Sequence, residues 1–423
     1  MTDRPDIRAA VERRLKRRHA AERRFRLYGV LAITVAVAFL ALLLGRIIEQ
    51  GHSAFVTHSI TLDVPVDAAR VDPAYPQGAN YDQMAAEALL VRLGVDANTA
   101  DNGRAVRDLL SPDMGFQILA QVRADPSLIG RTVTIEAPVG DSADLYFKGE
   151  ISRDTPEEQR VLTDQQIGWL DQLERQGLVE AHFNTGLFTR SDSTQPEMAG
   201  LLGAVVGSAL MLMVTALLSI PVGVLAAVYL EEFAPKNRLT EIIEVNINNL
   251  AAVPSIVYGL LGLAVFIGWM GLPRSSPLVG GIVLSLMAMP TVIIATRAAL
   301  KAVPQSIRDA ALALGASRTQ TVFAHVLPLA MPGVMTGSII SMAHALGETA
   351  PLLMIGMVSF VPGVPEGILS ASSALPTQIF IWENAAEAAF HERTAAAILV
   401  LLVFMVVMNA VAIVLRRRLE RRW

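Results

Sequence analysis

Six blocks of this chain are too long and too apolar for the core of a small soluble domain: residues 28–44, 198–230, 250–271, 277–296, 326–360 and 394–415. In hydrocarbon each backbone N–H and C=O needs a partner within the protein, which leaves helices as the natural form for such blocks. Each can cross about 30 Å of hydrocarbon, with kinks allowed at Pro and Gly. The fold class expected is an all-α polytopic membrane protein with six transmembrane helices. A removable secretory signal is the rival reading of 28–44, because a basic region precedes it. No small-x-small cleavage site follows Leu44 directly, which argues against removal.

Charge sets the orientation. Ten Lys and Arg lie in the first 26 residues, and Arg416-Arg417-Arg418-Leu419-Glu420-Arg421-Arg422 forms a second basic cluster. The positive-inside rule places both ends in the cytoplasm, which requires an even number of spans. The segment 231–246, with Lys236 and Arg238, and the loop 297–325 then fall inside as well. The expected order is a basic cytoplasmic N-terminus (1–26), a first transmembrane helix (27–45), an extracytoplasmic insert (46–195), a core of five transmembrane helices (196–415) and a basic tail (416–423). The chain has no Cys, which excludes disulfides and thiolate metal sites, and its seven His show no metal-ligand spacing. Nothing in it points to nucleic acid.

Acidic residues outnumber Lys and Arg by about two to one in the insert, as suits an extracytoplasmic location. Local patterns there predict a small soluble α/β domain: a helix over 81–94, and strands over 131–137 and 144–151. Thr155-Pro156-Glu157-Glu158 predicts a helix start, with the helix running to Gln176, a break at Gly168 and an end at Gly177. The insert shows no ligand constellation. Bracing or contact is the reading favoured over ligand sensing, because insertions between helices are cheap to tolerate.

A short polar helix-turn-helix over 303–328, overlapping the loop 300–325, separates the fourth and fifth apolar blocks. A membrane hairpin needs only a turn there. Ser306 with Asp309 reads as a capping box, and Ile307, Ala310, Ala311 and Leu314 share one face. Gly315 can take the left-handed conformation that ends this helix, and Ser317 with Gln320 caps a second one. The element is shaped for a grip from outside the membrane.

Within the fifth block lies Gly347-Glu348-Thr349-Ala350-Pro351-Leu352-Leu353. An ionised Glu at mid-membrane costs about 2.5–3.5 kcal/mol on insertion scales, so Glu348 should face protein or water and have a partner. His344 lies one turn earlier on the same face, and Pro351 can kink the helix beyond the carboxylate. Arg297, at the cytoplasmic end of the fourth span, is the other charge near a pathway. Glu348 suits a gate or an ion-pair partner better than a ligand for a dianion, since like charges repel; a helix-to-helix hydrogen bond is the alternative. Pro254-Ser255 breaks the third span, and broken helices at membrane depth tend to line cavities. Gly203 and Gly207 form a small-xxx-small packing pattern. The chain contains no phosphate-binding Gly-x-x-x-x-Gly-Lys-Ser/Thr loop, nucleophile elbow or zinc-protease helix, so it is not read as an enzyme.

From about residue 183 onward the chain resembles the PstA-type permeases of phosphate ABC importers. The matching stretches are 203–208, 220–230, 253–260, 297–315 and, most specifically, 347–353. The resemblance implies docking of an ATPase on Arg308, Asp309, Ala310, Ala311, Leu314 and Gly315. It implies a pathway or gate role for Glu348 and Arg297, with His344, Thr349 and Ser255 beside them. It further implies a bacterial inner-membrane complex with a second related permease, an ATPase dimer using ATP and Mg, a periplasmic phosphate-binding protein, and surrounding lipid. No cofactor is expected on this chain. Asp309 stands where the family's docking loop usually has Glu, and His344 where many relatives have Arg. Two other classes remain open: a permease for sulfate or molybdate, and a membrane sensor that signals through the loop.

Overall fold

The computed structural model describes residues 7–95 and 100–419. The ends of the basic N-terminus (1–6) and of the tail (420–423), with 96–99 of the insert, lie outside the described residues. Two units emerge, 1–50 and the remainder from Gly51. The first is a single helix, α1 (Ile7–Gly51), whose 18–51 stretch is apolar enough to cross a membrane.

The second unit opens with the insert. A three-stranded antiparallel sheet has the order β2-β1-β3, with β1 (Val56–Pro65) between β2 (Thr132–Pro138) and β3 (Val179–Phe183). Opposite β1, Leu62 pairs with Ile135 and Val64 with Val133, so apolar side chains from both strands share one face. That face is covered by α2 (Tyr81–Leu93), α3 (Ala100–Arg107), α4 (Asp113–Ala124) and α6 (Asp164–Arg175), through Leu89, Val106, Ile118, Ile167 and Leu170. Helix α2 ends at a left-handed Gly94, as its sequence predicts.

Two local expectations are overturned. Residues 144–151 are not a strand; α5 (Asp141–Phe147) occupies most of them, followed by a left-handed Gly149. The misleading signal is Asp144 and Lys148, charged residues that point inward at i and i+4 and invert the usual polarity pattern. The helix expected from Thr155 is only a 3-10 turn over Glu157–Gln159. The long helix α6 instead starts at the next signal, where Thr163 and Gln166 form a reciprocal capping box, and it runs through Gly168 unbroken.

After α7 (Gly186–Thr189) comes the apolar core: α8 (Leu202–Val228), α9 (Arg238–Ala251), α10 (Ser255–Leu261) and α11 (Pro277–Lys301). These are followed by the loop helices α12 (Gln305–Ala313) and α13 (Arg318–Gln320), then α14 (Leu327–Gly347) and α15 (Ala350–Met354). The chain closes with α16 (Leu375–Glu383) and α17 (Ala389–Leu419). Helix α11 packs between α8 and α14. Hydroxyls tie these neighbours: Thr215 donates to the Gly281 carbonyl at 3.3 Å and Ser341 to the Ala288 carbonyl at 3.0 Å.

Five helices among the described residues are long and apolar enough to span a membrane. A sixth span exists only if a pair bent by 101° counts as one: Arg238–Ala251 with Ser255–Trp269. The expected span 250–271 coincides with the second arm and takes in only the last two residues of the first, which ends at Ala251, with Pro254 at the elbow. Tyr258 donates to the Leu250 carbonyl across the elbow at 2.8 Å. Proline cannot continue the first arm, because its ring clashes with the preceding turn.

The insert is locked to the last two helices. Lys148, 4% exposed, bridges Asp144 (2.6 Å) and Glu392 at the start of α17 (2.7 Å), and the His58 ring meets Asp144 at 2.9 Å. Trp382 on α16 donates to Asp192 at 3.0 Å, and the buried Arg393 donates to the Ala199 carbonyl at 3.0 Å. Burial alone would raise the Asp144 carboxyl, but the His58 and Lys148 contacts together outweigh it and hold the group low. Burial raises the carboxyls of Asp192 and Glu197, with the Asp141 charge adding to the shift at Glu197.

The signs oppose. Asp144 stabilises the fold above its ordinary carboxyl pKa, and that stability is lost as pH falls through its lowered folded value. Glu197 favours the fold below its ordinary pKa, and its contribution is lost as pH rises through its raised folded value. Glu197→Gln is therefore expected to stabilise the solubilised protein at neutral pH by about 0.5–2 kcal/mol, the usual range for relieving a local fault. Thermal unfolding followed across pH checks it: an unchanged midpoint at neutral pH would show that the carboxyl is not a burden there.

Candidate functional site

The polar loop after α11 folds as two helices with a glycine corner. Gly315 has φ +84°, a region that residues with a Cβ rarely adopt, and its N–H donates to the Leu312 carbonyl at 2.9 Å. Ser317 and Gln320 form the expected reciprocal cap of α13. The Ser306–Asp309 box does not form: α12 begins at Gln305, so Ser306 already lies inside it, and Asp309 instead accepts from the Gln305 amide at 3.2 Å. The expected apolar face is also divided. Ile307 packs against the cluster of Val228, Leu300, Val322 and Val326, and Ala311 is buried, whereas Ala310 and Asp309 stay exposed. Leu312 and Leu314 are 48% and 90% exposed. Both are large apolar side chains turned away from the core on the surface of the loop.

Behind the loop lies a charge cluster on the turn that follows α8. The backbone over Tyr229–Phe233 is π-helical, a wider turn often found at functional sites. Glu231 meets Arg297 at 3.2 Å and Lys301 at 3.6 Å, and Arg297 also reaches Glu244 of α9 at 2.7 Å. Glu232 takes Arg308 of α12 through both carboxylate oxygens, with the shortest contact at 2.6 Å. Arg318 stands over the Phe233 ring at 5.9 Å. Sequence reasoning missed Glu231, Glu232, Phe233 and Glu244. The available signal was a pair of adjacent carboxylates inside a segment otherwise read as basic.

At the other end of α14 the chain breaks. The helix from Arg318 to Gly347 is 30 residues long, and Glu348 follows it in extended geometry (φ −79°, ψ 123°). The carboxylate therefore sits at a helix end and not in mid-helix. Pro351 does not kink α14; it lies in the first turn of α15, where its missing N–H is tolerated. His344 Nε2 is 3.3 Å from Glu348 Oε1, as the one-turn spacing predicts. Thr349 is the N-cap residue of α15, and its carbonyl accepts from Leu352 and Leu353 at 3.1 Å. Arg297 is engaged with Glu231 and Glu244, while Glu348 is engaged with His344, so the two charges first considered together serve different ends of the core.

Ser255, half-buried, starts α10, which packs directly on α15. A Cβ at Gly259 would come within 2.7 Å of Pro351 Cα, so only glycine permits this approach. The broken third span and the Glu348 motif are therefore one packed unit. Among the described residues no group of three or more His, Asp or Glu could hold a metal ion.

Residues 219–423 match the family described as binding-protein-dependent transport system inner membrane component, and residues 12–157 match a domain of unknown function, DUF3333. The chain is 36% identical over 155 residues to the probable ABC transporter permease protein YqgI of Bacillus subtilis, covering 36% of this chain and 52% of that one. The match thus spans about half the length of that relative. To the phosphate transport system permease protein PstA 2 of Mycobacterium bovis it is 34% identical over 235 residues, 54% of this chain and 76% of the relative. Among solved structures, an inward facing conformation of the MetNI methionine ABC transporter has a TM-score of 0.43 and 17% identity, covering 52% of this chain and 96% of that one.

Proposed function

Because the chain belongs to the PstA-type permeases of ABC importers, we propose that it is the membrane-spanning subunit of an importer carrying inorganic phosphate into the cytoplasm. The observation that carries this reading is the loop between α11 and α14. It is a helix pair cornered by Gly315, with Leu312 and Leu314 held outward on a helix whose inner side is anchored. An ATPase dimer docks there and supplies ATP and Mg. A second, related permease completes the pathway, and a phosphate-binding protein delivers the substrate from the periplasm. Both termini are cytoplasmic and the insert is periplasmic. ATP binding closes the ATPase dimer, pulls on the docking helices and opens the paired permeases outward. Phosphate is the substrate read from Gly347–Leu353 and from the phosphate permease relative.

The test is labelled-phosphate uptake at low concentration in a strain deleted for this gene and complemented with wild type. Restored uptake that excess sulfate or molybdate does not compete supports the reading. Competition by either overturns phosphate as the substrate.

Gly315→Pro tests docking by itself. Proline cannot adopt φ +84° and removes the N–H that bonds Leu312, so the corner between α12 and α13 cannot form. Co-purification of the ATPase is expected to fall at least about tenfold, the factor set by 1.4 kcal/mol, with insertion into the membrane unchanged. Full retention of the ATPase would sink the docking assignment.

A further inference from the structure

We propose that Glu232 is the positioning residue through which the docking helix moves the first core span α8, with the π turn Tyr229–Phe233 as the joint. The proposal rests on the docking reading above. The two adjacent carboxylates of this turn diverge: Glu231 is held by α11 and Glu232 by α12. Arg308 does more than pair with Glu232. Its guanidinium donates from Nη1 to the Val303 carbonyl at 2.8 Å and from Nη2 to the Leu300 carbonyl at 3.0 Å. One planar fork thus fastens α12 to the carbonyl end of α11 and to the end of α8. A lysine carries its three donors on one nitrogen and cannot reproduce the spread, planar fork that reaches both carboxylate oxygens and both carbonyls at once.

The second arm of the loop reaches the same turn, because Arg318 stands over Phe233, the residue next to Glu232. Both helices of the loop therefore grip consecutive residues of the π turn that follows α8, although 76 residues separate Glu232 from Arg308. Beyond α13 a second π turn, Thr321–Val326, leads into α14. A displacement of the exposed Leu312–Leu314 surface has two exits: by covalent chain into α14, and by the Arg308 fork into α8. Glu232 and Arg308 are 9% and 13% exposed, so water does not substitute for the contact. The two exits lead to α8 and α14, both of which pack on α11, so moving only one of them shifts it against α11.

The experiment uses the complete complex in proteoliposomes, with E232Q, E232D and R308K compared with wild type. Three quantities are read: ATPase retained on purification, the thermal midpoint, and labelled phosphate transported per ATP hydrolysed. E232Q is expected to lower the midpoint, because it breaks a buried ion pair from one side, yet to keep the ATPase while transport per ATP falls at least about tenfold. R308K is expected to show the same fall per ATP on whatever ATPase it retains, and E232D restores most of it. An unchanged ratio in E232Q with the ATPase bound overturns the proposal. So does loss of the ATPase from E232Q, which would make Glu232 part of the docking surface. If E232Q does not accumulate in the membrane, R308K decides on the same ratio, because it keeps the charge and loses only the fork. Absence of the ATPase from the wild-type preparation overturns the docking reading itself.

Discussion

Glu348→Gln is expected to cut phosphate uptake by about ten- to hundredfold while the chain still inserts and still carries its ATPase, since a hydrogen bond to a charged group is worth roughly 1.5–3 kcal/mol. The substitution keeps the shape of the side chain and removes only its charge. The break between α14 and α15 is set by Glu348 in extended geometry and by Pro351 in the next turn, so it survives. What is lost is the carboxylate that meets His344 at 3.3 Å. Glu348→Asp, which keeps the charge on a shorter arm, is expected to fall between the two. Uptake by Glu348→Gln indistinguishable from wild type would show that the carboxylate only ends a helix. The packing of α10 on α15 at Gly259 leaves the two broken segments no slack, so a shift at Glu348 is expected to carry into α10.

Lys148→Met is expected to destabilise the protein by about 3–5 kcal/mol, the cost of breaking a buried ion pair from one side. Lys148 neutralises two carboxylates, on α5 and on α17, in a site that solvent hardly reaches. Methionine fills the same space but leaves Glu392 with no opposing charge on the insert side. The double variant Lys148→Met, Glu392→Gln is expected to recover part of the loss, because the residues are in contact and their effects do not add. Fluorescence of the buried Trp169 and Trp382 during thermal unfolding of the detergent-solubilised protein reads insert and core in one experiment. A single variant within about 0.5 kcal/mol of wild type, the scatter of surface substitutions, would show that the clamp carries no stability. The insert is thereby fastened to the last apolar helix by charge, which fits bracing better than a free sensory domain.

Much of the docking loop was legible because its signals are local. Gly315, the Ser317–Gln320 cap and the His344–Glu348 pair all act within four residues, a distance over which helical geometry alone fixes the outcome. The loop's apolar face was only half legible. Periodicity assigned Leu314 to the same side as Ile307, but the turn at Gly315 swings it outward. The insert misled where buried charges broke the polarity rule, as Asp144 in α5 and Lys148 at its C-cap do. At α6 it misled because two capping signals lay eight residues apart, and the helix starts where the apolar face behind the signal can be buried.

The apolar blocks, the glycine corner, the Glu348 motif and the basic ends belong to the sequence by itself, because each follows from the solvent the segment meets or from bonds a few residues long. Tertiary structure alone decided that the third span bends by 101°, that Arg297 belongs to Glu231 and Glu244, and that Glu232 holds Arg308. These pairings join residues 53 to 76 positions apart, and no local pattern records them. A charge buried among helices takes the partner that packing brings to it, and packing is settled only when all the helices are in place.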